Sequence, residues 1–332
     1  MVTGARGIVP ILLAAVLWGT TGTAAHFLPG SVSPIATGAV TMTVGGGLLF
    51  ALSPRGAIRA IRDPAARRLL VAGVIGIVVY PLAFYSSMHL AGVAIGTVVS
   101  LASAPVFAGA IDFLRDRGSI TARWAVCTAI ALPGMVLLVL GRPADIEAGN
   151  ATTLGVLLGL VAGLSYAVYA DASHRMIGLG HGSSATMGAL FGLGAACLLP
   201  VLALTGAPLL ASAESVGIAA YLAIGPMFVA YLLFGAGLRS VRSSTATTLT
   251  LVEPLVATVL AVLVVGERLH PAGWVGLVLV LASVTALVLA GRGKTEAFLL
   301  ESGHAGAQAD GAGRPRTSRT FRASRTSRSV RR

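Results

Sequence analysis

The chain has 332 residues, of which 55% are hydrophobic and only 11% are charged, and its mean hydropathy is +0.87. Soluble domains carry about 25% charged residues, so this composition excludes a soluble globular protein and indicates an integral membrane protein. The formal charge of +12 does not indicate nucleic-acid binding, because the basic residues lie between apolar runs and in the C-terminal tail.

Ten apolar runs are each long enough, at about 20 residues, to cross a bilayer as a helix. The segments between them are short, so consecutive helices are expected to be antiparallel neighbours. We therefore predict an all-α membrane protein with ten transmembrane helices. The predicted spans are residues 8–28, 33–53, 68–88, 92–112, 121–140, 152–174, 183–204, 215–238, 243–265 and 271–290.

The basic residues are divided unequally between the two sides of such a bundle. If the N-terminus is cytoplasmic, 22 of the 24 Lys and Arg residues lie inside, and only Arg142 and Arg268 lie outside. Because positive charge favours the cytoplasmic side, this pattern predicts a multi-pass protein of the plasma or inner membrane. With an even number of spans, both termini are then cytoplasmic.

The two halves of the chain resemble each other at an offset of about 150 residues. Each half contains five spans, and an odd number means that the second half enters the membrane from the opposite side. We therefore predict two inverted five-helix repeats. The matching positions are segments 33–49 and 183–199, Pro105 and Pro254, and Trp124 and Trp274.

Three regions follow from this repeat. Residues 1–148 form the first repeat with five spans, and residues 149–291 form the second. Residues 292–332 are rich in Gly, Ser, Thr and Arg without apolar periodicity, which predicts a disordered cytoplasmic tail.

The ninth span carries a charge near its middle, because Glu253 lies there and Pro254 follows it. A carboxylate at that depth costs roughly 3 kcal/mol, so it should face protein or water rather than lipid. Proline has no N–H for the carbonyl of Thr250, which we predict to be free beside the acid. Pro105 in the fourth span would free the carbonyl of Leu101 in the same way. Two broken helices in matching positions predict a midplane binding site where they meet.

The sequence allows two roles for Glu253. It could bind a substrate ammonium group or a proton, or it could hold the ninth helix by accepting hydrogen bonds. The sequence leaves both roles open.

Aromatic and hydroxyl side chains supply further candidates for contact with a solute. Tyr166 and Tyr169 are three residues apart and share a helix face. Aromatic walls could hold a cationic solute, although ordinary helix packing would explain the same residues. The candidate substrate-binding residues are Glu253, Trp18, Tyr80, Thr97, Ser100, Tyr166, Tyr169, Thr247 and Thr250.

Two other acids lie toward the ends of spans. Asp171 precedes Arg175 by four residues, and Asp112 precedes Arg115 by three. Pairs at these spacings meet on a helix surface, so we predict local ion pairs for both.

No segment has the spacing of a phosphate-binding loop, a metal cluster or a nucleophile with a base. We therefore predict that the protein is not an enzyme and has no cofactor, and that an ion or solute gradient supplies its energy. Two alternatives stay open, namely an intramembrane enzyme acting on lipid through Glu253, Asp171 and the histidines, and a passive solute channel. Partners are then a small-molecule substrate and the lipid bilayer, while the oligomeric state stays open.

Four phrases carry a family resemblance: LLAAVLWGTTGTA, GTVVSLASAPVFAGAIDFL, LSYAVYA and TLTLVEPLVATVLAVLVVGERL. Together with ten spans and the repeat, they resemble the drug/metabolite transporter superfamily, and most closely the EamA-type exporters, over about residues 8–290. The strongest parts are Leu17-Trp18-Gly19, Glu253-Pro254 and Gly266-Glu267-Arg268.

The resemblance implies efflux of a small metabolite, often an amino acid or a related compound, across the plasma membrane by alternating access. It also implies a central cavity among the first, third, fourth, sixth, eighth and ninth helices. The chain departs from its relatives in two places. The second span lacks the arginine that many relatives carry there, and the first span has no carboxylate. Proton-for-cation exchange through a first-helix glutamate is therefore not implied.

Overall fold

A computed structural model describes residues 4–91, 93–116, 120–140, 150–266, 270–287 and 289, and within these residues the chain forms helices and turns without a strand. Eight helices are long and apolar enough to cross a membrane, and two are shorter apolar helices. The all-helical prediction is confirmed. The long helices are α1 (Gly7–His26), α2 (Pro34–Leu52), α3 (Arg67–Met88), α4 (Gly96–Arg115), α6 (Thr152–Gly178), α7 (Ser183–Thr205), α8 (Ala213–Leu238) and α9 (Ser243–Val264), and the shorter ones are α5 (Ala122–Leu137) and α10 (Pro271–Leu287).

The ten apolar helices agree with the ten predicted spans to within four residues at every boundary. The largest differences are at α4, which begins at Gly96, and at α6, which continues to Gly178. Glu267, Arg268 and the tail at 292–332 lie outside the described residues.

Several of these helices are irregular. The α-helix of α1 is interrupted at Thr20, and that of α9 is interrupted between Leu249 and Val252. Three helices also contain a π-helical segment, namely Thr41–Gly45 in α2, Ala223–Val229 in α8 and Ala261–Val265 in α9. Single-turn π-helical segments inside α-helices are frequent at functional sites.

Pro254 interrupts α9 as predicted, but the carbonyl of Thr250 is not free. It accepts a hydrogen bond of 2.9 Å from the backbone N–H of Glu253, because the chain tightens into a turn at the break. The prediction of a second break at Pro105 is wrong, since the helix Val93–Arg115 continues through it. A proline is tolerated inside a membrane helix where neighbouring groups satisfy the freed backbone.

The other interrupted helix, α1, lies beside the break in α9. A methyl carbon added at Gly19 would lie 2.8 Å from the carbonyl oxygen of Glu253 and 2.6 Å from Val256 Cβ. The absence of a side chain at Gly19 therefore brings the end of the first segment of α1 against the start of the second segment of α9. Two helix breaks meet, but on a different pair of helices from the one the sequence indicated.

Helix packing repeats with a shift of five helices. α3 packs on α6, and α8 packs on α1 in the same way. α4 packs on α6, and α9 packs on α1. The same shift exchanges α2 with α7 and α4 with α9. The two helices of each of these pairs are in contact with each other. The two halves of the chain therefore use equivalent packing partners.

α6 packs closely on its neighbours through three glycines spaced four residues apart. Added methyl carbons would lie 2.6 Å from Ala91 Cβ at Gly155, 2.9 Å from Ser87 Oγ at Gly159 and 2.7 Å from the carbonyl of Ser100 at Gly163. Small residues at this spacing let membrane helices approach closely. This stripe holds α3 and α4 against α6.

Replacing Gly159 by leucine should destabilise the bundle by about 1–3 kcal/mol, because the added side chain must displace Ser87 and Val99. The measurement is the thermal unfolding midpoint of detergent-purified protein. Gly178→Leu is the matched control on the same helix, since an added methyl carbon there meets nothing within 4 Å. Equal unfolding midpoints for the two variants would contradict the close approach at Gly159.

Candidate functional site

A central cavity of about 160 Å³ lies among α1, α2, α3, α6, α8 and α9. It is at mid-depth, because Trp18, Tyr80 and Glu253 each lie near the middle of their helix. Pro81, Phe84, Pro226 and Met227 add apolar surface. The lining residues with polar side chains are Trp18, Thr21, Thr41, Tyr80, Tyr166, Tyr169, Tyr231 and Glu253.

Glu253 carries the only charge among the described residues that line this cavity. Its side chain is half-buried, and within the described part of the chain no group donates a hydrogen bond to its carboxylate. The residue lies in the first turn of the helix segment Val252–Leu260. The positive end of that helix dipole favours a negative charge there by roughly 0.3–1 kcal/mol. The start of this helix segment therefore stabilises the negative charge of the carboxylate without supplying an opposite full charge.

Hydrogen bonds fix the aromatic walls. The Trp18 Nε1 donates to the carbonyl of Pro226 at 2.8 Å, which ties α1 to the π-helical segment of α8. The Tyr166 hydroxyl donates to Thr250 Oγ1 at 3.0 Å, so it is positioned by the break in α9. The rings of Tyr166 and Tyr169 stack with centroids 5.0 Å apart. These rings are held rigidly around the space that Glu253 faces.

Four aromatic residues pack together beside the cavity, and we call them the aromatic floor: Tyr169, Phe191, Tyr231 and Phe234. Phe191 and Phe234 are fully buried. The ring centroids of Phe191 and Tyr231 are 4.2 Å apart, and the hydroxyls of Tyr169 and Tyr231 are 3.4 Å apart. These rings form a packed layer that joins α6, α7 and α8.

Five of the nine candidate residues line the cavity, namely Trp18, Tyr80, Tyr166, Tyr169 and Glu253. The other four, all hydroxyl residues near the prolines, are not among the lining residues of this cavity. The Thr97 hydroxyl donates to Met88 Sδ at 3.5 Å, and Ser100 is fully buried where α4 packs on α6. Thr247 donates to the carbonyls of Ser243 and Ser244, and Thr250 donates to that of Thr247. Their hydroxyls serve helix packing and helix hydrogen bonds.

The set of cavity helices also differs from the expectation. α6 separates α4 from the cavity, and α2 contributes Gly38, Thr41 and Met42 instead. Thr41 begins the π-helical segment of α2, and its hydroxyl donates to the carbonyl of Gly38 at 3.0 Å. The polar run Thr41-Met42-Thr43 in an otherwise apolar span was the sequence signal for this contribution.

The predicted local ion pairs of Asp171 and Asp112 are wrong. Asp171 on α6 pairs with Arg115 on α4 through both carboxylate oxygens. Asp112 accepts hydrogen bonds of 3.3 Å from Ser243 Oγ and from the backbone N–H of Ser244 at the start of α9. Tertiary packing brings the last turn of α4 against both helices, so each acid bonds across helices rather than along its own.

Further contacts join the same end of the bundle, which we call the Arg115 end. His174 Nδ1 contacts the carbonyl of Leu238 at 2.7 Å, and His181 Nε2 lies 2.9 Å from Asp63 Oδ2. The backbone N–H of Ala65, which donates to Asp63, lowers the pKa of that carboxyl, and His181 lowers it further. Three of the contacts at the Arg115 end, made by Asp63, Asp112 and Asp171, therefore join the two halves of the chain.

Comparison with known proteins gives one family. A model described as the EamA-like transporter family matches residues 5–140 and 153–289. The chain is 32% identical over 286 residues to an uncharacterized transporter, YwfM, of Bacillus subtilis strain 168, covering 85% of this chain and 93% of that protein. It is 25% identical over 301 residues to an uncharacterized inner membrane transporter, YicL, of Salmonella typhimurium strain LT2, covering 88% and 98%.

A solved crystal structure has the same fold. It superposes with a TM-score of 0.72 at 20% sequence identity and covers 86% of this chain and 97% of the other. This likeness supports the helix arrangement described above and carries no information about the solute.

Proposed function

The chain belongs to the EamA-like transporter family, and we propose that it is a secondary transporter that exports a small solute bearing an ammonium group, such as an amino acid or a related metabolite. The observation that supports this is the carboxylate of Glu253, which faces the central cavity without a hydrogen-bond donor in the described residues. A charge is retained at membrane depth only at a cost, so it indicates a solute or proton contact. The tyrosine and tryptophan faces around it suit a cation.

The proposed mechanism is alternating access by two inverted five-helix halves. The five-helix shift in the packing partners supports equivalent halves, and the paired breaks in α1 and α9 supply flexible points beside the cavity. With 22 of 24 basic residues on one side, the Arg115 end is cytoplasmic and both termini face the cytoplasm. The described conformation is then closed toward the cytoplasm by the aromatic floor and by the Arg115–Asp171 pair.

The enzyme alternative would require Glu253 and Asp171 to act together. Asp171 instead pairs with Arg115 at the end of α4, whereas Glu253 faces the cavity above the aromatic floor. The described residues contain no group of three or more potential metal ligands. No observation therefore favours lipid chemistry over transport.

The test is solute counterflow in proteoliposomes loaded with unlabelled amines or amino acids. We expect saturable, trans-stimulated exchange of a solute with an ammonium group and no exchange of its uncharged analogue. Equal exchange of the uncharged analogue would overturn the proposed role of Glu253. Flux without saturation or trans-stimulation would identify a passive channel.

A further inference from the structure

A second cavity, of about 430 Å³, lies beside the central one between α2, α3 and α7. We call it the side groove. Its walls are mainly apolar, with Ile35, Leu82 and Leu198 among the lining residues. Ile35 and Leu82 are 51% and 48% exposed on the outer surface of the bundle. The groove therefore borders the hydrocarbon region of the bilayer.

The side groove and the central cavity share two wall residues, Gly38 of α2 and Pro81 of α3. Gly38 has no side chain to separate the two spaces. The groove is therefore directly adjacent to the space that Glu253 faces, with Gly38 and Pro81 between the two.

The volumes of the two spaces favour a solute that occupies both of them. Small-molecule sites usually have volumes of about 300–1,000 Å³. The central cavity, at about 160 Å³, is below that range, and the groove adds about 430 Å³. One space supplies the single negative charge with aromatic faces, and the other supplies apolar surface without a charge among its lining residues.

From this arrangement we infer that the side groove is a second binding subsite, which takes the apolar tail of an amphiphilic amine while its cationic head contacts Glu253. The inference rests on the proposed function and narrows its substrate class to amines with an alkyl or aryl tail. The tail reaches the groove between Gly38 and Pro81. Burial of each further methylene in the groove then strengthens binding of the whole solute.

The experiment measures how strongly alkyltrimethylammonium ions, from methyl through butyl to octyl, inhibit counterflow of the exchanged amine. A fully buried methylene is worth about fourfold in affinity. Because the groove is open to lipid on one side, we expect roughly twofold tighter inhibition per added methylene. An inhibition constant that does not change with chain length would overturn the inference.

Two variants separate the groove from simple partitioning into lipid. Leu82→Trp places a ring in the groove from an exposed position, and Gly38→Leu places a side chain at the shared wall. Both should reduce the butyl-to-octyl ratio of inhibition constants, which is well above one in the wild type, to near one. Gly47→Leu, also on α2, is the control, because an added methyl carbon there meets nothing within 4 Å.

The outcomes distinguish the two claims. If wild type and both groove variants show the same dependence on chain length, that dependence reports lipid partitioning and the subsite is wrong. If the amine is exchanged but tails have no effect, the subsite fails while the proposed function stands. If no amine is exchanged, the proposed function itself fails.

Discussion

Replacing Glu253 by glutamine should reduce amine counterflow by roughly 30-fold or more, since losing one partner of a desolvated charge pair costs 2–5 kcal/mol. Glutamine keeps the shape of the side chain and removes its charge. If a proton competes with the solute for this carboxylate, the pH dependence of wild-type transport should also disappear. The measurement is the initial counterflow rate at several pH values in proteoliposomes with matched protein content.

Glu214→Gln is the matched control for this experiment. Glu214 is an exposed acid in the first turn of α8 and does not line the cavity. Its replacement removes the same charge and should leave the rate nearly unchanged. If Glu253→Gln transports at the wild-type rate with normal yield, the carboxylate does not contact the solute, and a structural role becomes the better explanation.

Replacing Asp171 by asparagine should open the Arg115 end. Asp171 is 5% exposed and holds Arg115 across two helices, so its loss removes a contact that favours the closed state. Breaking a buried pair costs about 3–5 kcal/mol. The side chain of Arg115 is 44% exposed, so solvent screens the interaction and about 1–3 kcal/mol is a better expectation. That energy corresponds to a roughly 5- to 150-fold shift in population.

The measurement is the labelling rate of a single cysteine by a membrane-impermeant maleimide. Leu238→Cys serves as the reporter, because Leu238 is fully buried at the Arg115 end and its carbonyl contacts His174. The background carries Cys127→Ala and Cys197→Ala. Asp171→Asn should accelerate labelling, and the charge swap Arg115→Asp with Asp171→Arg should slow it again.

Arg242→Gln is the control for that prediction. Arg242 lies 3.5 Å from Asp116, and both side chains are about half-exposed or more. Exposed pairs contribute about 0–1 kcal/mol, so labelling should change little. If Asp171→Asn and Arg242→Gln give equal labelling rates, the buried pair does not control the closure.

The closed end and the cavity are connected through α9. Its first turn donates hydrogen bonds to the Asp112 carboxylate at the Arg115 end, and its break presents Glu253 to the cavity. Trp124 also donates to the carbonyl of Ser244 and to Thr248 Oγ1, at 3.1 Å in both cases. Movement at the Arg115 end would therefore shift the segment that leads to Glu253.

The features that depend on local physics could be predicted from the amino-acid sequence. Apolar runs of about 20 residues located the eight long apolar helices and the two shorter ones that the structure describes, because backbone polar groups in lipid must be satisfied within a helix. Pro254 indicated the break in α9, since the missing N–H acts within one turn. The spacing of Tyr166 and Tyr169 placed both rings on one face. The charge of Glu253 indicated an orientation away from lipid, and the structure places it at the cavity.

The folded arrangement of the helices was needed to establish which helices surround the cavity and which groups bond across the bundle. Lipid gives no hydrophobic preference between helix neighbours, so contacts follow the fit of small residues such as Gly19 and Gly159, which spacing along the chain does not reveal. Asp171 accordingly pairs with Arg115, 56 residues away, rather than with Arg175 on its own helix. For the same reason α2 enters the cavity wall and α4 lies behind α6.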